Sequence, residues 1–218
     1  MEGKEIVTLE KWYKLSKMAK GKRQVLLAAL QLFAENGINS TSTAQIAQKA
    51  NVSQATIFKY FHTKDELLMT ILEPLFSQLF PEYKADFKDK LVEISTTNGL
   101  SLKQVVYLLI KNRFEILFEN RNAAMILITG ILIDDKIRQK VVTLFQANVE
   151  EIGGQLLQLL KKFDEFNTEL SLKEVLRIII GQIGSYIIMH EKIDKKAPYN
   201  LETDLDQICF EIYRAITK

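Results

Sequence analysis

Between residues 42 and 61 the chain carries two short apolar stripes, each at helical spacing. Ile46, Ala47 and Ala50 form the first, and Ile57, Phe58 and Phe61 the second. Val52, a lone apolar residue between them, is placed to plug a tight turn. Each stripe follows a serine suited to an N-cap. Ser42 is followed three residues later by Gln45, which predicts a capping box. Ser53 is followed by Thr56, too short to reach back, so the second start rests on Ser53 alone. The small Ala47 lets the two predicted helices cross closely. Gln54, Ala55, Thr56, Lys59 and Tyr60 are left on the outer face of the second helix.

The same reading extends along the chain. Residues 1–20 form a basic arm, with Leu9, Trp12, Tyr13 and Leu15 at loosely helical spacing, expected to behave as a flexible tail or short helix. A helix over Lys22–Asn36 buries Val25, Leu26, Ala29, Leu32 and Phe33 and stops at Gly37. Thr63 with Glu66 predicts a further capping box, opening a helix that Pro74 should interrupt and Pro81 should end. A short helix over Phe87–Ser95 is followed by one that Ser101 caps, with Val105, Leu108, Leu109, Phe114, Leu117 and Phe118 as its stripe. Asn120–Asn122 breaks it. Ala123–Ile133 is almost wholly apolar and is expected to be buried. A long helix from Asp134 to Phe163 should turn Ile137, Val141, Leu144, Phe145, Val149, Ile152, Leu156 and Leu160 inward. Ser171 with Glu174 starts a helix through Met189, Pro198 and Asn200 lie in a loop, and Leu201–Ile216 closes the chain. No strand, fixed-period repeat or low-complexity tract is evident. The expectation is an all-α chain of nine or ten helices.

Composition narrows the function classes. The 218 residues, 47% apolar and 26% charged, suffice for a sizeable core. A single cysteine, Cys209, excludes an internal disulfide and a multi-cysteine zinc site, and a cytoplasmic location is expected. The first twenty residues lack the apolar core of a signal peptide, and the longest apolar runs are too short to span a bilayer, so no membrane partner is expected. Net charge is only +2, but residues 1–64 hold ten Lys and Arg against four acids, leaving the other 154 residues with 19 against 23. The basic end therefore coincides with the helix pair, as phosphate binding requires. No catalytic triad, paired-carboxylate motif, phosphate loop or dinucleotide fingerprint is present, and His62 and His190 are far apart, so no catalytic residue, metal site or cofactor is expected.

With AALQLFAENG in the first helix, STAQIAQKANVSQATIFKYF in the helix pair and TKDELL opening the next, residues 22–72 resemble the TetR family of bacterial transcriptional regulators. The resemblance implies a three-helix DNA-binding head, a connecting fourth helix and a larger helical body for ligand binding and dimerisation. It divides the chain into the arm at 1–20, a helix-turn-helix domain at 21–65 with its motif at 42–61, and an effector-binding and dimerisation domain at 66–218. Ser42 and Thr43 would meet phosphate, and Gln54, Ala55 and Thr56, started by Ser53, would face bases. Lys59 and Tyr60 would touch phosphate or a base edge, and Lys64 would anchor another phosphate. Two positions depart from the family. Ala55 stands where glycine is frequent, and Phe58 stands where tyrosine is usual, which assigns Phe58 to the core.

Phe76, Phe80, Phe87, Tyr107, Phe114, Phe118, Met125 and Phe145 are candidates to line a pocket, with Arg113 and Glu115 as charged candidates or solvated positions. Gly181, Gly184, Ser185 and Ile188, with Leu205, Ile208 and Ile212, suit either packing within the chain or, by the resemblance, a dimer interface. The implied protein is a homodimeric regulator of a palindromic operator in double-stranded DNA, a repressor released when a hydrophobic or amphipathic small molecule changes the spacing of its heads. Two alternatives stay open at this point: a DNA-binding architectural or division-control protein on the same scaffold without a small-molecule effector, and an all-α enzyme or lipid carrier whose head is not used for DNA.

Overall fold

The structure, a computed structural model, describes residues 7–148, 152–195 and 199–218. The first six residues of the arm, Val149 and Pro198 lie outside them. The chain is all-α, as expected. Its α-helices are α1 (Leu9–Leu15), α2 (Lys20–Asn36), α3 (Thr43–Ala50), α4 (Gln54–Tyr60), α5 (Lys64–Pro74), α6 (Phe80–Thr96), α7 (Leu102–Glu119), α8 (Arg121–Ile133), α9 (Asp135–Asn148), α10 (Gly154–Leu160), α11 (Leu172–Ile188) and α12 (Leu201–Ile216). A bridge between Phe166 and Thr217 is the extent of β structure among the described residues. The described residues form two compact units, one within 7–83 and 119–135, the other within 84–118 and 136–218.

In the first unit α2 is the central element, packed against α1, α3, α4, α5 and α8. Val25, Leu26, Ala29, Leu32 and Phe33 are buried, as the stripe predicted, and Gly37 ends the helix with φ +85°, a region that favours glycine. The arm is not a loose tail over residues 7–16. Thr8 caps α1 by accepting from Lys11 N–H at 3.1 Å, and Leu9 and Tyr13 are buried. The sequence showed their spacing, but only the fold supplies an apolar surface to cover them.

Three further expectations are corrected in this unit. Glu66 does not close a capping box on Thr63; its carboxylate accepts from the His62 N–H at 2.7 Å, while the Thr63 hydroxyl accepts from Glu66 N–H at 3.0 Å. Pro81 does not end a helix. After Pro74 the backbone widens into a π-helical turn over Leu75–Leu79, where Phe80 N–H reaches back to Leu75 O, and the helix runs on as α6 through Pro81. The segment Phe87–Ser95 is thus the later part of a longer helix. In α8, Ala123–Ile126 and Gly130 are buried, but Leu132 is 75% exposed and Ile133 is exposed too. Apolar composition alone does not bury the end of a helix that no neighbour covers.

In the second unit, α7 opens with Ser101 and Gln104 in a reciprocal cap, and α11 with Ser171 and Glu174. The hydrogen bonds from Ser171 hold the Glu174 carboxyl below the usual carboxylate range. The Asn200 side chain caps α12, whose apolar face packs on α11. In α9, Ile137 is fully buried whereas Phe145 is 47% exposed, so the inward stripe expected there fails at Phe145. Among the described residues no single helix is long and apolar enough to cross a membrane.

Candidate nucleic-acid interface and ligand cavity

The helix pair has the caps that its sequence calls for. Gln45 N–H donates to Ser42 Oγ at 3.2 Å, and Ser42 N–H donates to Gln45 Oε1 at 2.8 Å. The turn depends on Asn51, which the stripe pattern passed over. Its φ of +53° is left-handed, and its N–H returns to Gln48 O at 3.1 Å. Asparagine is among the few residues that tolerate this conformation, so its place just after an apolar stripe was a usable signal. Val52 N–H then bonds Ala47 O at 3.0 Å, and Ser53 Oγ accepts from Thr56 N–H at 3.2 Å. The Thr56 hydroxyl pairs with the Ser53 hydroxyl at 2.9 Å rather than reaching a backbone amide. Replacing Ser42 with Ala should cost about 1 kcal/mol, a fall of roughly 2–4 °C in melting temperature. Thermal unfolding would check it, and an unchanged midpoint would show that the cap is immaterial.

Ile57 and Phe61 bury α4 against the unit, while Ser53, Gln54, Ala55 and Lys59 are exposed. Thr56 and Tyr60 are half-buried, leaning on Gly21 of α2: a Cβ there would lie 3.6 Å from Thr56 Cγ2 and 3.7 Å from the Tyr60 ring. Phe58 contradicts its assignment to the core. It is 50% exposed, because Ile57 and Phe61, one helical turn apart, already occupy the inward face. Ser42 is exposed and Thr43 half-buried at the start of α3. Lys64 does more than present a charge: its Nζ donates to Asn39 O and Thr41 O, both at 3.3 Å, tying the first turn of α5 to the loop before α3. Thr41, another residue the sequence reading missed, is buried and donates to Gly37 O at 2.8 Å. Nothing in its neighbours along the chain announces this.

The second unit contains an apolar cavity of about 160 Å³, lined by side chains from α6, α7, α10, α11 and α12. Its walls include Val106, Leu109, Ile110, Leu176 and Ile179, with Arg113 as the charged lining residue. The Arg113 guanidinium lies 4.7 Å from the Phe87 ring centroid and donates to Asp86 Oδ2 at 2.9 Å. Arg113 is therefore a wall residue, not simply a solvated one, while Glu115 is exposed.

None of the seven principal aromatic and Met candidates lines this cavity. Phe76, Phe80 and Met125 belong to the first unit, where Phe76 and Phe80 pack ring to ring. Phe114 and Phe118 join Tyr186, His190 and Tyr199 in a ring cluster. Tyr107 is half-buried and Phe145 exposed. The void opens mainly among aliphatic side chains of α7, α10, α11 and α12. Phe87, the remaining aromatic considered, does line it.

The interface candidates divide. Gly181 and Ser185 are exposed, Gly184 and Ile188 are half-buried, and a Cβ at either glycine would meet open space. Leu205, Ile208 and Ile212 are buried within the protomer, so they are withdrawn from a surface role. The exposed large apolar residues of α11 and α12 are instead Ile180, Leu201 and Phe210. Cys209 is buried, which pushes its thiol up to about 12.

Residues 25–71 match the family model described as bacterial regulatory proteins, tetR family. The fatty acid metabolism regulator protein of Bacillus subtilis is 23% identical over 174 residues, 79% of this chain and 84% of that protein. Among solved structures, the transcriptional regulator FadR from Bacillus subtilis in complex with stearoyl-CoA aligns with a TM-score of 0.56 at 21% identity, over 88% of this chain and 95% of its own. The ketosteroid transcriptional regulator KstR2 of Mycobacterium tuberculosis aligns at 0.62 and 18% identity, over 93% and 97%. At these identities the structural likeness is one of fold.

Proposed function

Since residues 25–71 make this chain a member of the TetR family of bacterial regulatory proteins, we propose that it is a homodimeric, sequence-specific transcriptional repressor released by an amphipathic effector. The observation that carries the DNA-binding part is the doubly capped α3–α4 pair, which holds Gln54, Ala55 and Lys59 together on an exposed face. Gln54, Ala55 and Thr56 are the base-facing set. Ser42, Thr43, Lys59, Tyr60 and Lys64 serve the sugar–phosphate backbone, and Ser53 sets the start of the reading helix. A second copy, joined through the outward face of α11 at Gly181, Gly184, Ser185 and Ile188, supplies the other half-site reader. The protein then works in the cytoplasm, where its operator lies.

A mobility-shift assay on genomic fragments across a salt series tests this reading. Lys59→Ala should weaken binding and lower the slope of log affinity against log salt by about 1 for each protomer. Lys64→Ala should do the same and also reduce stability, because its ammonium gathers the Asn39 and Thr41 carbonyls. If both variants keep the wild-type affinity and slope, the contact assignment is wrong.

The cavity supports an effector with an apolar body. Its volume is close to the roughly 150 Å³ known to stay dry and accept benzene, so a small apolar group fits it as it stands. Arg113 at the wall suits an anionic end. The names of the fatty-acid relative and of the stearoyl-CoA complex favour acyl compounds among such ligands. Release from DNA requires that the ligand bind the non-binding conformation more tightly. Small molecules liberated from purified protein and identified by mass spectrometry should be acyl-type; a purely ionic ligand would overturn this part.

A further inference from the structure

We infer that Tyr13 is a positioning residue for DNA binding: its hydroxyl replaces the backbone donors that α5 loses at Pro74, and so fixes the course of the helix that follows the reading helix. The inference rests on the proposed DNA-binding role.

Within an α-helix, Thr70 O should accept from the N–H of residue 74, and Ile71 O from that of residue 75. Proline has no N–H, so the first donor does not exist. Leu75 N–H turns to Leu72 O instead, which takes the second away. Tyr13 meets both needs from another helix. Its Oη lies 2.7 Å from Thr70 O and 2.9 Å from Ile71 O, so its single hydrogen is shared between two carbonyls. Tyr13 is 1% exposed, and water cannot easily substitute for it. Burial, with the Glu73 charge nearby, raises the phenol above its ordinary range and keeps it a donor.

Helix α1 is held in place to do this. Leu9 N–H donates to Asn120 Oδ1 at 2.9 Å, Asn120 Nδ2 donates to Tyr83 Oη at 3.0 Å, and Tyr83 Oη donates to Val7 O at 2.6 Å. Asn122 Nδ2 reaches Glu10 Oε1 at 2.8 Å, and Arg23 Nη2 reaches Ser16 O at 2.7 Å. On the other side, Leu67, Leu68, Ile71 and Leu72 of α5 are buried in the unit whose centre is α2, and Lys64 ties its start to the loop before α3. An α5 with two orphaned carbonyls would rearrange around Pro74. Each molecule in the rearranged state is lost to operator binding, and apparent affinity falls with the fraction left competent.

The test is a double-mutant cycle on the full chain, with Tyr13→Phe, Pro74→Ala and the pair, read by anisotropy of a labelled operator duplex and by thermal unfolding. Tyr13→Phe should weaken operator binding about tenfold with no change in salt slope, since no phosphate contact is removed. Pro74→Ala restores an N–H to Thr70, so in that background Tyr13→Phe should change affinity by less than about twofold. A Tyr13→Phe protein that unfolds while the double variant folds supports the same coupling. Equal losses in both backgrounds, no loss in either, or a loss accompanied by a smaller salt slope overturns the inference in a protein whose wild type binds operator. A wild type that binds no DNA overturns the reading beneath it.

Discussion

Gln54→Ala should weaken operator binding by about 2–6 kcal/mol and relax sequence preference at one base pair in each half-site. The magnitude follows from symmetry. One well-formed base contact discriminates by about 1–3 kcal/mol, and a dimer loses two of them with every substitution. Gln54 is the residue to test because it stands exposed at the start of α4, where the Ser53 cap fixes the helix and the exposed Ala55 beside it permits close approach. An amide there can donate and accept at once, the pattern that an adenine edge presents. The salt slope should stay as in the wild type, which separates this loss from that of Lys59→Ala. Selection of binding sites from randomised duplexes, followed by anisotropy, would measure both effects. Unchanged preference at every position would remove Gln54 from the base-reading set.

Leu176→Trp should leave operator affinity within about twofold of the wild type while raising the effector concentration needed for release by ~100-fold or more, equivalent to about 2.7 kcal/mol of lost ligand binding. The indole enters space that is empty, so the strain that normally follows small-to-large changes is limited. It also occupies the volume that an apolar group of the ligand would take. Titrating a bound operator complex with fatty acids and acyl thioesters of graded length would read the change. Arg113→Leu in the same assay should penalise charged ligands more than neutral ones of equal length. Release of the Leu176→Trp complex at wild-type concentrations would place the effector somewhere other than this cavity.

The parts of the reader that depend on neighbours along the chain were legible before any coordinates. A serine and a glutamine three residues apart make the cap at Ser42, and the repeat of Ile46, Ala47 and Ala50 sets which face is inward. These follow from helix geometry, which is local. Phe58 was misread for the opposite reason. Its hydrophobicity matches its neighbours Ile57 and Phe61, and only the direction from which α4 is covered decides that it faces outward. The apolar cavity was harder still. Aromatic residues drew attention in the sequence because they are large, yet of those considered Phe87 alone lines the cavity, and the others pack elsewhere or stand at the surface.

Sequence alone therefore determined the all-α class, the caps and phase of α3 and α4, and the concentration of positive charge toward the N-terminus, since each depends on residues within a few positions of one another or on simple composition. Tertiary structure decided that the arm carries a packed helix, that Tyr13 supplies what Pro74 removes 61 positions later, that Leu205, Ile208 and Ile212 are interior, and that residues from five helices, aliphatic from four of them, bound a void. Those outcomes depend on which surfaces meet across long separations in the chain, and helical periodicity carries no record of that choice.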